Sequence, residues 1–570
     1  MPRSLSPTSN IDALRREAKR WLKSLAAGDA QAAQRFQRVF PSHTGKPKLR
    51  EMQHVLAREH GFSSWVALKQ ELEDRARTTA ERVRLFLEKS VNRYGVDPAT
   101  QKWGDYERDG PARGRLAARL LERHPDMARE SIHTAVAAHD LDAVRAFLAK
   151  DPGLANDSSA FDGWTPLVRL AYARLPMDGI AEKAIAIATL LLDAGADPDA
   201  SWTDGSNRFT ALVGVIGGGE AGQAEHPVAE AFARLLIARG ADPFAPQALY
   251  NSSLGPDSTF WLDLLWSESE KRGETYKWTG PSPNELGGEK VKSALSYLLG
   301  NAVPEHIARV RWLLEHGAEA DGVNFYSREP LIKHAQLAGR EDVAELLVRH
   351  GASRLQLTDE ERFLAAVAAG DLDAIRRLAT AHPEFLTRHR AMFSAIRKHR
   401  VDVAEALLDL GMSPDVGDDK NFRALHYCAH CGAVDIARML IARGAEIDPF
   451  ELRHGGSPLT HAVYNGQPEM TSLLAAHSQN FRGLCFAGAV ERLRTLLTEE
   501  PDRANREDRP GEPALFCLPD DQEKAVEVAE LLLSFGANPG FRNPLGQTPA
   551  EAVRRRGLDD AAALLDDLDG

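Results

Sequence analysis

One short exit recurs along this chain and restricts its fold more than any other feature: Gly-Ala-Asp-Pro-Asp at Gly195, Gly-Ala-Asp-Pro-Phe at Gly240, Gly-Ala-Glu-Ala-Asp at Gly317, Gly-Ala-Ser at Gly351, Gly-Met-Ser-Pro-Asp at Gly411 and Gly-Ala-Asn-Pro-Gly at Gly536. Gly411 and the related exit at Gly444 lie 33 residues apart, and Gly317 and Gly351 lie 34 apart. The stretch Phe422 to Pro449 shows the whole unit, which reads as helix, tight turn, helix and exit. Its second helix carries Ile436, Met439 and Leu440 at i, i+3 and i+4, with Asp435 in the first turn, where the helix dipole favours an acid. Glycine just past the last turn, at Gly432 and Gly444, closes a helix at little cost because it tolerates positive φ. A fixed period of helix pairs joined by turn-rich links predicts an all-α solenoid in which each repeat touches only its neighbours.

Fragments of a Thr-Pro-Leu-His motif open several repeats: Thr165-Pro166-Leu167, Ala424-Leu425-His426 and Thr548-Pro549. On this motif and the period, residues 112–568 resemble the ankyrin-repeat family, with no copy keeping all four motif residues. A second flavour of repeat replaces the glycine exit by a charged or His residue before Pro125, Pro152, Pro383 and Pro501, where proline stops the helix. The resemblance implies an α-solenoid of about twelve divergent repeats, each a helix-turn-helix plus a turn or finger. It also implies a way of binding, a partner protein held on the concave face of turn tips and inner helices, without naming the partner.

The net charge of −12 conceals an asymmetry. Residues 1–75 hold 14 Lys and Arg against 8 Asp and Glu, while the remainder holds 56 against 74. Cys428, Cys431, Cys485 and Cys517 are too few for a disulfide framework in 570 residues and suit a reducing compartment. The N-terminus has no apolar run behind its basic residues, and the longest such run, Ala184 to Leu192, is far short of a membrane span. The expected setting is the cytoplasm.

The first 75 residues read as a small, mildly basic helical domain. Asn10 or Asp12 caps a helix with Leu14, Ala18, Trp21, Leu22 and Leu25 on one stripe, and Gly28-Asp29 ends it. A second helix passes through Phe36, Val39 and Phe40, a loop runs from Pro41 to Pro47, and further helices span Leu49 to His60 and Ser63 to Glu73. The segment Leu56 to Val66 has helix-turn-helix spacing, which raises nucleic-acid binding as an alternative function. The second helix there offers only Lys69 and Gln70 as donors, followed by Glu71, Glu73 and Asp74, which would repel phosphates. The other reading has Gly61 capping one helix, Ser63 or Ser64 starting the next, and Trp65 filling the core between them. The domain also resembles the small helical module that precedes ankyrin repeats in many bacterial proteins.

Residues 76–111 read as a connector, with a helix from Glu81 to Asn92 and a turn-rich stretch from Gly95 to Gly114. The segment 246–288 breaks the period and reads as an insert holding Tyr250, Phe260, Trp261, Trp266, Tyr276 and Trp278. Insertions in repeat arrays map to loops on one face, often the binding face, and Trp and Tyr dominate interface energies. Trp261 shares a helical stripe with Leu264 and Leu265 and is expected to pack; Tyr250, Tyr276 and Trp278 lie off the stripe and are candidate contacts. The competing reading makes the insert an elaborated repeat with its aromatics in the core. Turn tips add Trp202, Phe244, Phe325, Tyr326 and Phe450, any of which can instead pack on a neighbouring repeat.

Catalytic motifs are sparse. Thr44-Gly45-Lys46-Pro47 lacks the first glycine of a phosphate loop and the hydroxyl that holds magnesium, and Gly217-Gly218-Gly219 reads as a flexible helix exit. His426, Cys428, His430 and Cys431 include metal-ligating types, but one helix cannot turn all four toward one ion. No catalytic residue, cofactor or metal is expected. The reading is of a monomeric, non-catalytic protein-binding scaffold, with nucleic-acid binding through residues 1–75 as the alternative and an enzyme hidden in the insert as a further one.

Overall fold

A computed structural model describes residues 5, 10–40, 47, 49–62, 65–96, 111–176, 179–205, 207–220, 222–281, 292–507, 511–556 and 558–566. The expected loop over 41–46, the start at Ser63 or Ser64, the turn-rich residues 97–110 and the loop residues 282–288 lie outside the described residues. The chain forms two units, Ala76–Gln356 and a discontinuous one built from Met1–Arg75 with Leu357–Gly570.

In Ala76–Gln356, the helix Thr79–Lys89, started by a Thr78–Glu81 capping box, pairs with Pro111–Arg123. Six inner and outer helix pairs succeed it among the described residues, from Ile132–Ala137 with Leu141–Lys150 to Leu331–Leu337 with Glu341–Arg349. Successive inner helices pack on one another, so Leu167, Leu170, Leu212, Val215, Leu249 and Leu295 join one continuous core. In Leu357–Gly570 seven further pairs run from Asp359–Ala369 with Leu372–Ala381 to Pro549–Arg555 with Asp559–Asp566; in the sixth the 3-10 turn Ala514–Phe516 stands in place of an inner helix. The segment 246–271 proves to be a repeat, since Pro246–Ser253 packs between Ala211–Ile216 and Ala294–Ala302 and Phe260–Lys271 is its outer helix. The insertion is confined to residues beyond 271, where it includes the short helix Tyr276–Thr279.

The exits have the geometry their glycines imply, with φ of +87° at Gly444. Four residues after Gly195, Gly411 and Gly444 stands an aspartate that reaches the next repeat. Asp199 accepts from the Asp242 amide at 3.0 Å, Asp415 from Glu446 at 3.0 Å and Asp448 from Gln479 at 2.7 Å. The proline-led exits are 3-10 turns, Pro125–Arg129, Pro152–Asn156, Pro383–Thr387 and Pro501–Asn505, with proline at the first position, where no amide donor is needed. In two of them an asparagine bridges onward. Asn156 donates to Gly195 O (2.7 Å) and accepts from Asp197 N (2.9 Å), and Asn505 does the same with Gly536 O (2.8 Å) and Asn538 N (2.7 Å). One link is a true hairpin, Ser201–Thr203 against Arg208–Thr210, in the register Trp202↔Phe209. Gly217-Gly218-Gly219 is a close approach rather than a flexible exit: Gly219 N donates to Asn251 O at 3.0 Å, and a Cβ on Gly218 would lie 2.6 Å from that oxygen.

The first 75 residues form helices Ile11–Ala26, Ala30–Gln37, Leu49–Glu59 and Trp65–Ala76 around Leu14, Trp21, Phe36, Met52, Leu56, Trp65 and Leu68. Asn10 caps the first helix through Ala13 N at 2.8 Å, and Asp29 caps the second. Gly61, at φ +86°, closes the third, and Trp65 is buried against it.

Candidate partner-binding surfaces

In Ala76–Gln356 three of the sequence-selected aromatics converge. Tyr250 rises from the inner helix Pro246–Ser253, and Phe325 and Tyr326 sit in the finger closed by the Val323–Pro330 bridge. Between them stands Tyr297 of the helix Ala294–Ala302, with ring centroids 6.5 Å from Tyr250 and 5.5 Å from Phe325. The Tyr297 and Tyr326 hydroxyls are 3.0 Å apart, and the Tyr250 hydroxyl donates to Glu220 at 2.9 Å. Asn324 fixes the finger by accepting from Tyr326 N (2.9 Å) and donating to Gly300 O (3.0 Å). Burial, followed by hydrogen bonds to Glu220 and Tyr326 respectively, pushes the Tyr250 and Tyr297 phenols above the ordinary tyrosine range. Both phenols therefore remain neutral, Tyr250 donating to Glu220, while Tyr326 is 65% exposed at the tip.

Burial corrects two of the expected contact residues. Trp202 is 6% exposed because the hairpin register stacks it on Phe209, at 4.3 Å and 11°, and its other face meets Trp164 at 5.1 Å. Trp278 is fully buried; its indole donates to Ser269 Oγ at 3.0 Å, and Trp266 lies edge-on at 5.4 Å. Phe244 is half-buried against Trp278. Tyr276, two residues before Trp278, is exposed, and Lys277 between them is tied to Asp242 at 2.8 Å.

In the other unit Phe450 is 54% exposed on the finger that precedes helix Pro458–Tyr464, and Leu452 next to it is more exposed still. Phe450 forms one wall of a groove of about 410 Å³ that continues past Thr460, Asn480 and Arg482 to Arg503 and Arg506. The guanidiniums have internal acids, Arg482 with Glu512 at 3.1 Å and both Arg503 and Arg506 with Glu500, so the groove is charge-balanced. The inner helices of this unit add a ladder in which Phe393 stacks on Tyr427 at 4.6 Å. Tyr464 ends the helix after Leu459 and Ala462 and is almost fully exposed. The sequence reading missed Tyr297, Leu452 and Tyr464. For Tyr464 the signal was its place off the Leu459–Ala462 stripe.

The His426 to Cys431 segment is not brought to one point. His426 accepts from Arg423 N at 3.1 Å through Nδ1 and lies 3.2 Å from Gly456 O through Nε2, an arrangement that fixes the neutral ring with its proton on Nε2. Burial holds its pKa down at about 4. Cys428 is in the core, where burial pushes its thiol well up, and His430 faces solvent. Among the described residues no group of three or more His, Cys, Asp or Glu is placed to hold a metal ion, and no helix is long and apolar enough to cross a membrane.

Residues 363–451 match the family model for ankyrin repeats in three copies. The chain is 34% identical over 196 residues to the B-cell lymphoma 3 protein homolog of Mus musculus, covering 33% of this chain and 38% of that protein. It is 25% identical over 296 residues to the ankyrin repeat and KH domain-containing protein mask-1 of Caenorhabditis elegans, 48% of this chain and 10% of the other. It therefore spans well under half the length of these two relatives. A putative ankyrin repeat protein of Escherichia coli, YahD, is 23% identical over 184 residues, 30% of this chain and 92% of its own. An ankyrin repeat domain from Acinetobacter baumannii solved by crystallography aligns with 30% of this chain and 95% of its own at 23% identity and a TM-score of 0.25.

Proposed function

We propose that this chain, whose solenoid carries ankyrin repeats, is a non-catalytic scaffold that binds a partner protein on its finger tips and inner helices. The carrying observation is the exposed apolar surface of one finger and the helix that follows it: Phe450, which lines a cleft of about 410 Å³, Leu452 and Tyr464 stand 54%, 72% and 86% exposed. Exposed aromatics around a concave surface are what a protein interface uses as anchors. The Tyr250, Tyr297, Phe325 and Tyr326 cluster supplies a second patch of the same chemistry in the other unit. The resemblance of residues 1–75 to a bacterial module, and cysteines that form no disulfide, support a bacterial cytoplasmic setting. A monomer fits the scaffold role.

Nucleic-acid binding through residues 1–75 is the alternative, and internal acids engage three of its cations, Lys69 of the helix-turn-helix among them. Arg35 is held by Glu59 at 2.6 Å and by Glu17, Arg75 by Glu71 at 2.7 Å, and Lys69 faces Glu73.

The test is affinity capture with the tagged full chain, followed by binding measurements on the recovered protein. Replacing Phe450, Leu452 and Tyr464 together by Ala is expected to weaken its binding by more than about 2 kcal/mol with the melting temperature unchanged. Undiminished binding by that folded variant refutes this surface as the site.

A further inference from the structure

We infer that residues 1–75 are the cap of the C-terminal end of the repeat array, an internal partner for its last helix. This assigns a task to a module whose role is separate from partner binding.

A solenoid of stacked helix pairs ends in a repeat with one unsatisfied face, and terminal repeats normally carry a polar outer surface there. The last helix, Asp559–Asp566, does not. Leu558, Ala561, Ala562 and Leu565 are buried in the array core, and Leu564 packs both against that core and against the core of residues 1–75. Asp560, on the same helix, is 4% exposed and takes two donors from the module: Arg15 Nε at 2.7 Å and the Trp65 indole at 3.2 Å. Lys19 reaches the carbonyl of Ala563 at 2.5 Å, in the last turn, where the helix dipole favours a cation. A carboxylate buried to this degree is tolerable only with charged and hydrogen-bonding partners in place, and here both come from more than 490 residues away in sequence. The space remaining between Gln53, His54 and Trp65 on one side and Gln522 and Val526 on the other is about 50 Å³, room for a water or two.

Arg15 and Lys19 of the helix Ile11–Ala26 both meet the C-terminal helix of their own chain, Arg15 at a carboxylate and Lys19 at a backbone carbonyl. Arg15 keeps its i, i+3 partner Asp12 at 3.1 Å as well, so its guanidinium bridges the module to the array.

The test uses the full chain in a charge-exchange series, Arg15→Asp, Asp560→Arg and the two together, read by amide hydrogen exchange. Each single variant is expected to speed exchange over residues 549–566 by at least about tenfold, leaving His389–Arg397 unchanged. The double variant restores an ion pair of reversed sense and is expected to recover more protection than either single variant, even if the singles lose structure more widely. Unchanged exchange over 549–566 in the singles, or a double variant no better protected than they are, overturns the assignment.

Discussion

The buried ion triad at the start of the Ala76–Gln356 unit gives the sharpest stability prediction. Asp162 is fully enclosed and pairs with two arginines, Arg93 and Arg169 Nη2, the latter at 2.6 Å; the Arg93 and Arg169 side chains are 1% and 0% exposed. Arg169 also donates to Leu87 O at 3.2 Å, and Arg93 lies 4.5 Å from the Trp164 ring. Burial pulls the Arg169 pKa below the ordinary arginine value, and the Asp162 charge is the main opposing influence. Asp162→Asn keeps the shape and one acceptor oxygen but takes the counter-charge away from the fully buried Arg169 guanidinium and from its contact with Arg93. Removing one partner of a buried pair costs about 3–5 kcal/mol, and a loss in that range is expected. Urea unfolding of the unit measures the loss, and hydrogen exchange should localise it to helix Thr79–Lys89, whose last turn Arg169 holds. Adding Arg169→Met to Asp162→Asn removes that buried cation and is expected to return part of the stability. A loss below about 1 kcal/mol, or no recovery in the double variant, refutes the claim that Asp162 is the counter-charge holding this end together.

The other predictions address the exits, pH and the corrected aromatics. Gly444→Val is expected to cost more than about 1 kcal/mol because of its φ of +87°; a Cβ there meets nothing within 4 Å, so Gly444→Asn, which tolerates this conformation, should lose much less, and equal melting temperatures for the two would refute the cap. Burial holds His133 and His139 down at about 4 and His226 at about 3, against 6.5 for a free imidazole, so stability is full above pH 6.5 and falls as the pH drops toward 4. At about 1.4 kcal/mol per pKa unit, His133 and His139 contribute at most about 3 kcal/mol each and His226 at most about 5 kcal/mol. The melting temperature of His139→Asn, an allowed replacement at φ +53°, should vary less steeply over that window, and an unaltered profile counts against it. Trp278→Ala is expected to destabilise by about 3–5 kcal/mol while Tyr276→Ala leaves the melting temperature unchanged; the reverse order would undo the reassignment of Trp278 to the core.

What was legible in the sequence and what was not divides along the range of the interactions. The exits depend on one residue's backbone preference, and Gly444 and Gly411 carry that information wherever they stand. The Gly-x-x-x-Asp spacing that ties Asp199, Asp415 and Asp448 to the following repeat is also local and was open to reading. Burial of the aromatics is different. Trp202 is enclosed because the hairpin sets it against Phe209, and Trp278 because Ser269 and Trp266 on the preceding helix surround it; composition cannot distinguish either from the exposed Tyr276. The segment 246–271 looked like an insertion because residues 254–259 lengthen the turn and Gly273, which closes the outer helix at φ +69° and 33 residues after Gly240, lacks the Gly-Ala-Asp-Pro sequence of the other exits, while its two helices keep the stacking of the array. Asp560 marks the limit of local reading. An acid in a run of alanines and acids reads as solvent-facing, since isolated carboxylates are rarely buried. Its partners Arg15 and Trp65 look, within their own segment, like a surface cation and a core indole. Only the return of the chain to its own N-terminal module makes the three one contact, so one arginine of the module's basic surplus meets a carboxylate, residue 560, that residues 1–75 read alone do not contain.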